Sequence, residues 1–270
     1  MSSHARLTIA APSWGGELFS GLGQVVPTGR VPRNVSAAVL VKPAFRAVWE
    51  ARHIPRRIGW PTDHRRMLLT DVVEQGTGHR AEQIARLAEC LGVTVEGAPT
   101  LDVTPVGDPG VVLLPLSATG APVEWSGYPA LADHLLASGL SVVFGAGPGE
   151  SERLARVAGA HGILPELSVR GFAEVIAGAV AVVGNDSGLT HLAAAAIRGA
   201  GRAPERVVGI AGSTDPAVTG APGATWLAGP RLSCAPCYRK ACSRGLGCLD
   251  IPVEAVSAAV RGLVARRAVL

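Results

Sequence analysis

A short β-branched apolar run, a glycine-rich or polar turn and then a helix-like stretch recur along this chain, the alternation that a parallel sheet covered by helices requires. Strands are predicted over 38–41, 111–116, 141–145, 180–184 and 206–211. Between them, apolar residues at Ala81, Ile84, Ala85, Leu87, Ala88 and Leu91 recur at helical spacing and predict a helix over 80–91; 129–137 and 151–160 behave alike. The final segment, 252–267, opens with Pro252 and Glu254 and closes on Arg266 and Arg267, as a helix dipole prefers. The chain is 48% hydrophobic but only 4% aromatic, so Ala, Val and Leu must build the core. Its 34 glycines and 20 prolines follow no collagen-like period and are interleaved with apolar runs, which excludes collagen, coiled coil and disorder.

A length of 270 residues accommodates one large domain or two ordinary ones. The proline and glycine run over 104–110 falls just before a strand and reads as a boundary. The expected division is an N-terminal domain over 1–104, a linker over 105–110, a C-terminal domain over 111–251 and a closing helix over 252–270. The longest apolar stretch, 175–183, is well short of the ~18 residues that span a bilayer. The apolar run at 7–11 is too short for the core of a secretory signal, so a cytoplasmic location is expected.

The net charge of +4 is uneven: residues 1–90 hold 12 Lys and Arg against 7 Asp and Glu. The excess gathers at Arg52, His53, Arg56, Arg57, His64, Arg65 and Arg66, without the interleaved aromatics of a base-stacking surface. Arginines in a cluster suit bidentate phosphate binding, and they equally suit a solvated face tied by local carboxylates.

The strongest local signal is the run from Ala181 to Ala195, AVVGNDSGLTHLAAA. A buried strand ends at Gly184, polar capping residues follow, and an alanine-rich helix starts at about Gly188. Free backbone N–H groups and the positive end of the helix dipole then face the carboxyl edge of the sheet, an arrangement that suits an anion. Gly188 allows close approach, Ser187 and Thr190 can donate hydrogen bonds, and His191 lies one turn into the helix. Asp186 would repel a phosphate and better accepts from sugar hydroxyls or loop amides. Two more loops, 145–150 and 212–216, leave strands at the same edge, where open α/β sheets bind ligands. Neither a dinucleotide fingerprint nor a Walker lysine is present.

Near the C-terminus stands a C-x2-C-x4-C-x5-C array, Cys234, Cys237, Cys242 and Cys248. In a reduced compartment such spacing is closer to metal ligation than to a disulfide framework, although the gaps differ from those of a zinc ribbon. A structural metal, a redox-sensitive loop and plain reduced thiols all stay open. Cys90, inside an amphipathic helix, reads as a small core residue.

Taken together, the Val183 to Ala195 run, the GSTDP loop at 212–216 and the cysteine array closing in CLDIPVEAV resemble glycosyltransferase family 9, the bacterial lipopolysaccharide heptosyltransferases. The segment RRIGW at 56–60 followed by RRMLLTD at 65–71 is similar to heptosyltransferase II-like members. The resemblance covers nearly the whole chain. It implies a GT-B architecture, two Rossmann-like doubly wound domains facing a cleft. It also implies transfer of heptose from ADP-heptose to the lipopolysaccharide inner core, with inversion and no required metal. The C-terminal domain would hold the donor through Asp186, Ser187, Gly188 and His191, with Ser117 and Thr119 in a phosphate-binding loop and Glu150 or Glu152 at the ribose. Arg52, Arg56, Arg57, Arg65 and Arg66 would face the anionic acceptor at the inner-membrane surface. The final helix would cross back to the N-terminal domain.

Two departures from the family pattern matter. Its first strand and the Gly-Asp loop that carries the proposed base are missing, so the N-terminal domain is expected to be truncated and no catalytic residue is identified. In the donor loop, Val123 and Glu124 stand where the family has a phosphate-neutralising lysine. Other readings are transfer of a different nucleotide sugar, and a degenerate paralogue that binds ligand without turnover. A metal-dependent nucleic-acid module is disfavoured, because the cysteines and the arginines lie in different domains.

Overall fold

A computed structural model describes residues 6–118, 123–239 and 241–267. The chain forms two compact units, residues 1–97 and 98–270.

In the first unit, β1 (Thr8–Ala11) and β2 (Gln24–Pro27) pair in parallel around the short helical turn α1 (Gly15–Leu18). A second parallel sheet has the order β3–β4–β5, formed by Ala37–Leu40, Arg56–Gly59 and Asp71–Val72. Helix α2 (Phe45–Glu50) connects β3 to β4, and α3 (Arg80–Glu89) follows β5. Two small apolar clusters hold this unit. Leu40, Val48, Ala51, Ile54 and Leu69 form one, and Ile58, Trp60 and Leu87 form the other.

The second unit has a five-stranded, all-parallel sheet made of β6 (Val111–Leu114), β7 (Val142–Phe144), β8 (Ala181–Asn185), β9 (Val207–Ala211) and β10 (Thr225–Ala228). Its spatial order is β10–β9–β8–β6–β7. In order of sequence within the unit this is 2-1-3-4-5, whose direction of winding reverses between β6 and β8. Strands β6, β8 and β9 are buried at every residue, and their Val, Ile and Leu composition is that of strands covered on both faces. The expected strand over 111–116 ends at Leu114 because Pro115 has no N–H to continue the ladder.

Helices α4 (Tyr128–Ala137), α5 (Ser151–Ala158), α6 (Val169–Gly178), α7 (Gly188–Gly199) and the short α8 (Pro216–Thr219) alternate with these strands. One core lies on the side of α4 and the closing helix α9 (Val253–Arg267), the other on the side of α6 and α7. Val256 and Val260 of α9 are fully buried against α4 and the sheet, each worth ~1.5–3 kcal/mol of apolar burial. The closing helix is thus part of the core of the second unit.

The boundary also differs from the expected one. Leu101 N donates to Ala195 O, Arg170 Nη2 donates to Asp102 O, and Val103 is buried with Ala173, Ala177 and Ala196. The 105–110 run is a turn inside the second unit: Val106 N bonds Glu174 O, and Gly110 O accepts from Val180 N. Proline and glycine marked a real break in regular structure, but the packing of 98–104 moves the division upstream to Gly97.

Candidate nucleotide-sugar site

The carboxyl ends of β6 and β8 are bridged by one side chain. Asn185, the last residue of β8, is fully buried. Its Nδ2 donates to Pro115 O at 2.7 Å, and its Oδ1 accepts from Trp125 N and Tyr128 Oη, both at 3.1 Å. Burial and then the Glu124 charge push the Tyr128 phenol well above its usual range, so it remains a neutral donor to Asn185. Trp125 Nε1 donates to Ile251 O, which ties the far end of the β6 loop to the segment before α9. Pro115, Trp125 and Tyr128 are thereby held together across the switch point, the place where sheets of this order bind ligands.

Gly184 is required here by close approach: a Cβ would come within 2.2 Å of Thr190 Oγ1 and 3.2 Å of Leu114 Cβ. Thr190 Oγ1 uses that proximity to donate to Asn185 O at 2.6 Å, pinning the first turn of α7 over the end of β8. Ser187 caps α7 in extended conformation, and its carbonyl accepts from Thr190 N and His191 N. Its Oγ is buried and has no hydrogen-bond partner. Gly188 is exposed with open space beyond its Cα, and the N–H groups that open a helix precede any intrahelical acceptor.

The Asp186 side chain is 5% exposed. One oxygen lies 3.0 Å from His191 Nε2, and the other accepts from Thr219 Oγ1 at 2.9 Å. Burial pushes its carboxyl up, but bonds from His191, Thr214 and Thr219 and the nearby imidazole outweigh that and leave it below the usual carboxylate value. Thr214 Oγ1 is itself buried without a partner of good hydrogen-bond geometry, so its effect on Asp186 is one of proximity. Asp186 therefore orients His191 and braces the loop after β9. The His191 ring, 38% exposed and tilted against Trp226, is the part of the pair that reaches solvent.

On the other flank, Ser117 is 5% exposed; its N–H donates to Glu124 Oε1 at 2.6 Å and its carbonyl accepts from Arg153 Nη1. Arg153 also pairs with the Glu124 carboxylate and lies 3.6 Å from Glu150. Glu150 accepts from Gly147 N and precedes α5 at the same edge. Glu152 points away, 92% exposed and paired loosely with Arg156. Thr119 lies outside the described residues. Sequence reasoning missed Arg153 and Asn185 as determinants. Asn185 was inside the motif, but only the register of β8 on β6 shows that it faces Pro115; Arg153 is 29 residues from the carboxylate it neutralises.

The arginines assigned to an acceptor are mostly engaged by their own unit. Arg65 is fully buried and donates to the carbonyls of Trp60, Lys42 and Leu40. Burial lowers its pKa, opposed by Asp63, and its guanidinium is spent on those three carbonyls. Arg56 grips Asp71 and Cys90 O, and Arg57 donates to the carbonyls of Leu68, Ile54 and Pro55. Arg66 pairs with Glu74 at the surface. Arg52 donates to Trp49 O and stacks 4.6 Å over its ring.

Cys234, Cys237, Cys242 and Cys248 are all reduced and line one cavity beside Ser213. Among the described residues, no group of three or more His, Cys, Asp or Glu side chains is arranged to hold a metal ion. No described helix is long and apolar enough to cross a membrane.

A sequence model of glycosyltransferase family 9 (heptosyltransferase) matches residues 66–246. The chain belongs to this family. Lipopolysaccharide heptosyltransferase 1 of Pseudomonas aeruginosa is 40% identical over 98 residues, a match spanning 35% of this chain and 26% of that protein. Among solved structures, E. coli ADP-heptose lps heptosyltransferase II superposes with a TM-score of 0.74 at 20% identity, covering 98% of this chain and 91% of the other. E. coli heptosyltransferase WaaC with ADP gives 0.63 at 21% identity, covering 85% and 73%. Two α/β units built on parallel sheets are thus the GT-B-type fold of the heptosyltransferases.

Proposed function

We propose that this family 9 member transfers heptose from ADP-heptose to the lipopolysaccharide inner core with inversion, in the cytoplasm at the inner-membrane surface. The observation that carries the reading is the turn between β8 and α7 at the sheet's switch point, where α7 opens beside the buried, unpartnered Ser187 hydroxyl and the Asp186-held imidazole. The E. coli relative whose structure holds ADP supports a nucleotide diphosphate as the ligand class.

In this reading the first-turn N–H groups of α7 and Ser187 Oγ donate to the diphosphate, while His191 Nε2 stays on Asp186 and leaves Nδ1 to accept from a hydroxyl of the nucleotide sugar. The charge that builds on the departing diphosphate is met by these donors, which need no reorganisation as the bond breaks. The acceptor hydroxyl attacks the anomeric carbon from the side opposite the diphosphate, which inverts that centre. Glu150, near the start of α5, would reach the ribose; Ser117 backs the same loop.

Transfer from ADP-heptose to deacylated core, together with ADP binding by calorimetry, tests the reading. Asp186→Ala and His191→Ala should each weaken ADP at least tenfold, about 1.4 kcal/mol. Unchanged binding in both variants would falsify the donor site. A second reading, ligand binding without turnover, is favoured by Glu124, which places a carboxylate beside Ser117 and engages Arg153. ADP binding without transfer from any nucleotide sugar would select it.

A further inference from the structure

The four-cysteine loop plays no part in the chemistry above, yet it is built against the donor pocket. Cys237 N and Tyr238 N both donate to Ser213 O, at 2.9 and 3.0 Å, and Asp215 N donates to Tyr238 Oη. A Cβ on Gly212 would fall 2.5 Å from Leu249 Cδ2 and 3.3 Å from Cys248 Sγ, so the loop closes directly on the backbone after β9. That backbone leads into Thr214, beside Asp186, and on to Thr219, which donates to it.

Within the loop the thiols are unequal. Cys242 is exposed, and its sulfur accepts from Arg244 N at 3.3 Å. Backbone N–H groups of Arg244 and Leu246, followed by the Arg239 and Arg244 charges, hold its thiol below the ordinary value. Burial pushes the Cys248 thiol up, and the charges that Cys242, Cys237 and Cys234 would carry push the same way, while all four line one cavity. An accessible thiol whose sulfur accepts from a backbone N–H and which shares a cavity with further thiols is the arrangement of a redox-responsive cysteine.

We propose that Cys242 is a peroxide-reactive thiol that closes a disulfide with another cysteine of its cavity, and that this cross-link shifts the Gly212–Asp215 backbone and weakens the donor pocket. The thiolate sulfur attacks the O–O bond of hydrogen peroxide and keeps one oxygen as sulfenic acid, and the departing hydroxide is protonated to water. A second thiol then attacks the sulfenic sulfur, forming the S–S bond and releasing another water. Two electrons pass from the sulfurs to the peroxide, and a dithiol reductant reverses the change.

The consequence for the pocket rests on the donor-site reading; the thiol chemistry does not. Trypsin cuts this region into 232–239 with Cys234 and Cys237, 241–244 with Cys242, and 245–261 with Cys248. The full-length reduced protein is treated with hydrogen peroxide, its remaining thiols are blocked, and the digest is read by mass spectrometry alongside ADP titration. The expected result is a disulfide-linked peptide containing 241–244, and an ADP affinity reduced at least threefold and restored by dithiothreitol. Cys242→Ser should abolish both effects, while Cys90→Ser, outside the loop, keeps them. Absence of a 241–244 linkage, an oxidised protein that binds ADP unchanged, or stoichiometric zinc or iron in the protein as purified would overturn the proposal. The two readings fail separately: loss of ADP binding by the fully reduced protein counts against the donor site, whereas the peptide map judges Cys242 whatever the nucleotide result.

Discussion

The arginine cluster of the first unit and the Asn185–His191 turn of the second are both dense in polar side chains, and they use them in opposite ways. Around Arg65 the polarity is closed: a fully buried guanidinium meets three backbone carbonyls. Around α7 it is left open, with the Ser187 hydroxyl buried without a partner and His191 partly exposed on a fixed carboxylate. Buried polar groups are ordinarily satisfied, so an unsatisfied one at a sheet switch point and a helix N-terminus indicates a ligand's place. Position decides, since the Thr62 hydroxyl near Arg65 is also buried without a partner.

The sharpest way to break this comparison is Arg65→Met. If the guanidinium is a strut, removing it leaves the carbonyls of Leu40 at the end of β3, Lys42 just after it and Trp60 just after β4 without their donor. The expected cost is about 3–5 kcal/mol, read by urea denaturation followed at Trp60. ADP affinity should be unchanged in whatever fraction folds. A stable Arg65→Met protein with weakened acceptor binding would put the cluster on the same footing as the α7 turn.

Asn185→Ala is next in size and probes the opposite region. It removes a donor from Pro115 O and an acceptor from Trp125 N and Tyr128 Oη in a fully buried position. A loss of about 2–4 kcal/mol is expected. Unlike Arg65→Met, it should also weaken ADP several-fold, because the loop after β6 loses its tether. A change in stability alone would show that this loop does not meet the nucleotide.

Much of this architecture is legible in the sequence, for reasons that differ by element. Strands β6, β8 and β9 are short apolar runs carrying Val pairs, VVLL, AVVGN and VVGIA, followed by proline, polar or glycine residues, and α7 begins at Gly188, where its caps place it. Local chemistry decides those features, so a window of a few residues contains the answer. The arginines fail that test: Arg56 meets Asp71 15 residues away, and Arg65 meets Lys42 O 23 residues away. Those partners are set by the pairing of β3, β4 and β5, which no local window shows. Asp186 is intermediate. Its place in the pocket follows from the motif, but its burial and its bond to Thr219 depend on β9 lying beside β8.

His191→Ala tests the open region with little structural consequence. The ring is partly exposed, so the thermal midpoint should move little while ADP affinity falls by the tenfold argued above. His191→Gln should recover part of that loss, since an amide can still donate to Asp186. A large drop in stability without a change in affinity would make His191 a strut like Arg65 and remove the contrast on which the site assignment stands.

The smallest effect concerns a second histidine–carboxylate pair, away from the pocket. His161 Nδ1 lies 2.8 Å from Ala158 O, and its Nε2 lies 3.0 Å from Asp133. The bond to the Ala158 carbonyl and then that to Asp133 raise its pKa above the ordinary imidazole value of about 6.5, with burial opposing them. A raised folded-state pKa means that the protonated ring favours the native chain. The contribution is complete below pH ~6.5 and is lost as pH rises through the folded value. Asp133 is 71% exposed, so solvent and salt screen the pair and hold its worth under ~1 kcal/mol. Asp133→Asn should therefore lower the thermal midpoint slightly at pH 5.5 and not at pH 8.5, and the difference should shrink in high salt. The Asp186–His191 pair runs the other way: its depressed carboxyl stabilises above the ordinary Asp value and loses that contribution only as pH falls through the folded pKa. The Asp186 carboxyl is depressed and stays ionised between pH 5.5 and 8.5, so a pH-dependent loss in that window that Asp133→Asn abolishes belongs to the surface pair.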